Sequence, residues 1–527
     1  MTRPSPVVLA GILAASLAGA QEMPLRVGTV AVRSLDVFAP EEAERGWIYR
    51  AADLLHVTTR PDTIRKFLLF DEGDPYDEAL LAQTERNLRA LPFLKSARVI
   101  PSAPHDGIVD VDVVTQDAWT TEISVNLGSS GGETRWATGL TERNFLGAGK
   151  EIGLSYDEGV QRTNRLIEFK DTALFGGYWS TALRYADNSD GGERQVRIDK
   201  PFSSPLDRLT VGALWDSRRQ EDRFYADGEV ASEYGLRHRG LRLAGGTPLE
   251  AESLRARRVL AGIHFFRDEF HNLSGRTDAV LPEERDFRYV FVGYEDFVSD
   301  YVTLQYVNQD LRFEDFNLGP RFTATVALSP RAFGAPVTSV AVRGSAERGW
   351  RLGRSSFARA LVAFETRLNG GVQNAILSAT GLVVVPHSTV LRQTTVAQIQ
   401  FQQGWNLDRD VQFFADGDHG LRGYRLYAFE GNRRLVLNVE HRVFSGFEVL
   451  QLFSFGGAAF LDTGTAVPAG APLRFASLKT DAGVGLRIGI ARAAHSTILR
   501  LDCAYAFDSD PLGKKGWLVS FSSGQAF

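Results

Sequence analysis

Thr497-Ile498-Leu499-Arg500-Leu501-Asp502-Cys503-Ala504-Tyr505-Ala506-Phe507 is the stretch that decides the fold. Its odd positions carry Leu499, Leu501, Cys503, Tyr505 and Phe507, and its even positions include Arg500 and Asp502. A period of two puts the first set on one face of a strand and the charges on the other. The pattern recurs upstream. Val484, Leu486, Ile488 and Ile490 oppose Gly485, Arg487 and Gly489, and Ala397, Ile399 and Phe401 oppose Gln398, Gln400 and Gln402. Apolar residues on one side with charges or amides on the other fit a lipid-facing exterior and a polar lumen. A soluble β-sandwich gives the same alternation, so length has to arbitrate. Residues 119–527 run without a helical interruption, too far for one sandwich. At roughly 25 residues per hairpin arm they make about 16 strands, and marking them individually gives about 16 to 19. Residues 230–350 are the hardest to divide, with Asp268–Arg285 expected as a long external loop.

The whole chain agrees with an exported barrel. It has 527 residues and a formal net charge of −5, with Lys and Arg spread along its length and no basic block. Nucleic acid is therefore not an expected partner. Cys503 is the sole cysteine, which excludes an intrachain disulfide and a cysteine-based zinc site. At the N-terminus Arg3 precedes the apolar stretch Pro6–Leu17, which ends in Ala18-Gly19-Ala20 before Gln21. This is the form of a secretory signal, so residues 1–20 are expected as a signal peptide. No later stretch approaches the length of a spanning helix. A membrane barrel is the strand architecture that leaves no backbone unpaired in lipid.

Between the signal and the strands, residues 26–118 read as a small α/β domain of order β-α-α-β-β. Val27–Val37 reads as a strand. Pro61 opens a short helix with Ile64, Phe67 and Leu68 on one face. A second helix runs from about Tyr76 to Ala90, striped by Leu80, Leu81, Leu88 and Leu91 and closed by Pro92. Ala97–Ile100 and the alternating Val109, Val111 and Val113 mark two further strands.

Several motifs carry a family resemblance. Phe70-Asp71-Glu72-Gly73-Asp74-Pro75-Tyr76 and Leu91-Pro92-Phe93-Leu94 resemble a POTRA domain, the periplasmic module of the outer-membrane assembly superfamily. One such unit is present. In the barrel, Gly420-Leu421-Arg422-Gly423-Tyr424 matches the signature of the long loop, here near 406–432, that folds into the lumen. Phe460-Leu461-Asp462-Thr463-Gly464 is similar to the F-x-D-x-G pattern of a later strand, and Asn144-Phe145-Leu146-Gly147-Ala148-Gly149 to the turn after the second strand. Five strand-like segments follow the loop motif, near 434–444, 449–461, 483–490, 496–507 and 516–526, and the last ends at Phe527 as a barrel C-terminal signal. The chain thus resembles the BamA/TamA superfamily, of bacterial surface antigen type. The resemblance implies a mainly β transmembrane barrel over 119–527, seated in the outer membrane with the POTRA domain in the periplasm. It also implies that Arg422 and Asp462 are partners, a lock made from Gly420, Leu421, Arg422, Gly423, Tyr424 and Asp462.

Three motifs that look catalytic do not hold up. Gly128-Ser129-Ser130-Gly131-Gly132 has the spacing of a nucleophile elbow, but it sits between two amphipathic strands where a hairpin turn belongs. Gly147-Ala148-Gly149-Lys150 lacks the leading glycine and the Ser or Thr of a phosphate loop. The acidic run Asp71, Glu72, Asp74, Asp77 and Glu78 lacks EF-hand spacing and reads as a solvated loop capping the second helix. The histidines are scattered. No enzyme, cofactor or metal site is expected. The expected partners are outer-membrane lipid, unfolded β-barrel or secreted polypeptide clients, and periplasmic accessory proteins. The function implied is insertion or assembly of membrane proteins, or polypeptide translocation. The alternative is a passive channel or structural barrel without insertase activity.

Overall fold

The computed structural model describes residues 25–37, 56–523 and 525–526, apart from 131–132, 160, 177, 205–206, 253, 276–280, 309–312, 388–391, 450–452 and 491–497. The signal segment, Gln21 and Phe527 lie outside the described residues.

The N-terminal domain is a three-stranded sheet under two helices. β1 (Arg26–Leu35) pairs parallel with β3 (Ile108–Asp117), and β2 (Leu94–Pro101) pairs antiparallel with β3, so the sheet order is β1-β3-β2. Helix α1 spans Pro61–Arg65, with proline at its first position where the missing N–H costs nothing. Helix α2 spans Glu78–Arg89, and Asp77 caps it by accepting from the N–H of Ala79 at 2.9 Å and of Leu80 at 3.4 Å. Ile64, Phe67, Leu81 and Leu88 pack from above onto Val27, Val30, Val111 and Val113 to make one core.

The barrel turn 143–149 docks on this domain. Asn144 Nδ2 donates to Thr59 Oγ1 at 2.8 Å, and the carbonyl of Gly147 accepts from Thr63 Oγ1 and from Arg60 N–H. Gly147 has φ +71°, and a Cβ there would stand 2.6 Å from the Thr58 carbonyl. The turn therefore requires glycine both for its backbone and for its contact.

From Thr121 the chain forms one large antiparallel sheet. Among the described residues it has twenty strands, each paired with its neighbours, and the strand order returns to its start. Among the described residues the last strand, Trp517–Ser523, meets the first, Thr121–Ser130, at one registered pair, Ser520 opposite Gly128. Twenty strands correct the expectation of about 16. The first six strands are only 9–10 residues each, in tight succession, so an allowance of 25 residues per arm undercounts them. Later strands lengthen, up to the 23 residues of Glu229–Ala251. The expected loop Asp268–Arg285 is shorter, because the flanking strands extend to Asn272 and begin again at Arg285.

Side-chain direction follows the period of two. Ile123, Leu140, Leu154, Ile167, Val292, Val326, Leu461, Val484, Leu501 and Val519 point outward and are exposed. Asp502, Glu440 and Asp462 point inward and are fully buried. A soluble sandwich would bury the first set and expose the second. Here the order is inverted.

Candidate functional site

Between the strands Arg392–Trp405 and Arg433–Val449 the chain leaves the wall and turns into the interior. A short hairpin, Phe413–Ala415 with Phe429–Gly431, forms the stem of this loop. Buried Asp416 shapes its turn. One carboxylate oxygen accepts from the N–H groups of Asp418 and His419, both at 3.0 Å, and the other from Tyr427 N–H at 2.8 Å. Leu421 and Tyr424 are buried with Ala415, Ala428, Phe429, Val436, Ala466 and Ala506, so an apolar layer holds the loop against the wall.

Two glycines let it lie close. Gly420 has φ +98°, and a Cβ there would be 2.8 Å from Val436 Cγ1. A Cβ on Gly423 would be 2.6 Å from Asp481 Cβ.

This approach delivers Arg422 to the wall. Its Nε donates to Asp462 Oδ2 at 2.7 Å and its Nη2 to Asp462 Oδ1 at 2.9 Å, a bidentate fork. Nη1 donates to Glu440 Oε2, and the guanidinium lies 3.5 Å from the centre of the Phe460 ring. The structure thus brings together Gly420, Leu421, Arg422, Gly423, Tyr424 and Asp462; Tyr424 adds a hydrogen bond from its hydroxyl to the Thr480 carbonyl at 3.0 Å.

The cluster is larger than the motif pair. Glu440 also accepts from Arg442 Nε at 2.8 Å and from Arg487 Nη2 at 3.3 Å. Asp502 faces Arg487 and Arg500. Asn438 ties loop to wall, donating to the Gly420 carbonyl at 2.7 Å and to Asp462 Oδ1 at 2.8 Å. Asp462 stands directly opposite Asp481 across the two strands, so Arg422 lies beside two facing carboxyl groups. The motifs do not reveal Glu440, Arg442 and Arg487. The signal available was the even-numbered polar series Arg434, Asn438, Glu440 and Arg442 on a strand whose odd positions are Leu435, Leu437 and Val439.

A charge cluster of this density, joining the loop to three neighbouring wall strands, suits holding the loop in place. Burying both partners of such a pair returns little net stability, so its effect is on conformation.

No protein-family model matches the sequence, and no curated protein matches it. Among solved structures the chain is similar to CdiB from Acinetobacter baumannii, at 10% identity and a TM-score of 0.49 over 95% of this chain and 74% of that one. It is similar to CdiB from Escherichia coli at 13% and 0.47, over 95% and 76%. It is also similar to BamA from Haemophilus ducreyi lacking POTRA domains 1–3, at 11% and 0.39, over 95% and 84%.

Proposed function

We propose that this chain is a transmembrane barrel of the bacterial outer membrane that inserts membrane proteins or passes polypeptides, with residues 26–118 serving as a single POTRA domain in the periplasm. The observation that carries this is the pairing of a firmly held interior loop with a weak seam. Arg422 is bonded to two carboxylates on neighbouring strands, while among the described residues the first and last strands share one registered pair. The exposed apolar belt supports the membrane placement, since such a surface in water is an aggregation site.

In this mechanism the β2 edge accepts an extended client as an added strand. β1 is less suited, because the 73–76 segment already bonds to it through Val27 N–H to the Asp74 carbonyl and Gly73 N–H to the Val27 carbonyl. The seam then opens sideways and its freed edges pair with the client, so that no backbone group is left bare in lipid. The lumen loop holds the last five strands in one register while this happens.

The rival is a passive barrel, and the continuity of the strand order around the sheet favours it. One assay separates them. Purified full-length protein in liposomes is expected to speed insertion of an unfolded barrel substrate over protein-free liposomes. Equal rates would leave the passive barrel. Recovery of the native protein in a soluble periplasmic fraction would remove both.

A further inference from the structure

One turn at the end of the barrel nearest the N-terminal domain does not simply connect its strands. Between the strands Arg285–Val298 and Arg321–Ser329 the chain forms a separate two-stranded hairpin, Tyr301–Gln305 with Phe313–Asn317, outside the barrel ladder. Three sets of contacts fix its described residues.

Its base is held by the N-terminal domain. Arg89, at the end of α2, makes a bidentate contact with Asp315, with Nη2 at 2.9 Å and Nε at 3.1 Å from the same oxygen and Nη2 at 3.1 Å from the other. Arg86, three residues earlier on the same face, lies over the Tyr301 ring at 4.9 Å. Its side covers an apolar patch on the barrel interior. Phe357, Val384 and Val396 face inward, where the period of two calls for polar residues, and all three are buried with Val307 and Leu318. Its far end touches the moving parts. Arg442 Nη1 donates to the Val307 carbonyl at 2.8 Å and to Asn308 Oδ1 at 3.1 Å, and Arg442 in turn bonds Glu440, which holds Arg422. Gln525, two residues past the last strand, donates to the Asn308 carbonyl at 3.1 Å.

The geometry points to a latch: this hairpin ties the position of the N-terminal domain to the lumen cluster and to the end of the last strand, and holds the seam shut until α2 lets go of Asp315. The inference deepens the insertion reading and rests on it for its purpose, while the coupling itself is testable without a client. The patch at Phe357, Val384 and Val396 explains why the hairpin stays docked, because lifting it wets apolar surface. The Arg89–Asp315 contact is partly buried and is the one that another carboxylate would replace.

The test uses the full chain in planar lipid bilayers, scoring open events. Asp315→Asn is expected to raise their frequency about tenfold, the loss of one charge-assisted bidentate contact. Asp315→Glu, which keeps the charge and both acceptor oxygens, should stay near the parent. A second variant guards against misfolding: Arg89→Cys and Asp315→Cys, with Cys503→Ser, joined by a reducible thiol-reactive linker. Linked protein should stay closed and open on reduction of the same sample. Openings at parental frequency in both Asp315→Asn and the linked form would overturn the latch. Client insertion that proceeds unchanged with the linker in place would also overturn it, while leaving the insertion reading standing. Conductance that follows the linker without any client insertion would keep the latch and remove the insertion reading.

Discussion

Replacing Arg422 with alanine is expected to free the lumen loop without unfolding the barrel. Arg422 is 4% exposed, and its removal takes both fork bonds from Asp462 and one from Glu440, each fully buried. Breaking a buried pair from one side costs roughly 3–5 kcal/mol, because the remaining charge stays desolvated and unmatched. The lower end applies here. Glu440 keeps Arg442 and Arg487, and Asp462 keeps the Asn438 amide. About 3 kcal/mol corresponds to roughly a hundredfold change in a local opening equilibrium. The assay is amide hydrogen exchange in detergent, comparing the loop with the wall. Amides of 413–431 should exchange about a hundredfold faster in Arg422→Ala, and those of the strand Lys479–Ile490 should keep their parental rate. Arg422→Lys should fall between, since an ammonium keeps the charge but not the planar fork. A charge swap with Asp462→Arg rescues little, because an aspartate at 422 would face Glu440; Asp462→Asn is the better partner change. Parental exchange throughout 413–431 in Arg422→Ala would mean that Arg422 does not hold the loop.

Other consequences are as direct. Gly423→Ala puts a methyl 2.6 Å from Asp481 Cβ and should expose the loop to protease cleavage as Arg422→Ala does, whereas Gly470→Ala, at φ +82° but in open space, should leave the loop unchanged. His56 is buried against the N-terminal sheet, with Nε2 3.0 Å from buried Asp117 and 3.7 Å from Asp36. Burial opposes its charge, but the bond to Asp117 and the carboxylate's field outweigh this and raise its pKa. A raised histidine value means a stabilising contribution that is complete below about pH 6.5 and lost as pH climbs through the folded value. Denaturant melting of the N-terminal domain should therefore weaken with rising pH in the parent and lose that slope in His56→Gln. Cysteines at 128 and 520, with Cys503→Ser, should form a disulfide readily, since opposed residues of an antiparallel pair sit within bridging distance.

Legibility in the sequence followed periodicity and failed where periodicity was shared. The alternation through Leu499, Leu501 and Cys503 gave both the strand and its outward face, because a slip of one residue would send Arg500 and Asp502 into lipid. The loop motif pointed to Arg422 and Asp462, but the rest of the cluster arises from register. Asn438 meets Asp462 and Glu440 meets Phe460 only once two strands are aligned. The Tyr301–Asn317 hairpin went unseen because Tyr301–Gln305 alternates as a wall strand does; its trace was the misplaced apolar set Phe357, Val384 and Val396 on the lumen face. The strand count suffered from short early strands, whose turns, such as Asn188 opposite Gly191, leave almost nothing between the arms.

In the proposed mechanism the seam between the first and last strands opens to admit a client. The measurement is insertion of an unfolded barrel substrate into liposomes carrying Gly128→Cys, Ser520→Cys, Cys503→Ser protein, oxidised and then reduced in the same preparation. Insertion should fall to the protein-free rate while the disulfide joins the strands and recover on reduction. Equal insertion by the oxidised and reduced forms, with the disulfide verified intact, would contradict it.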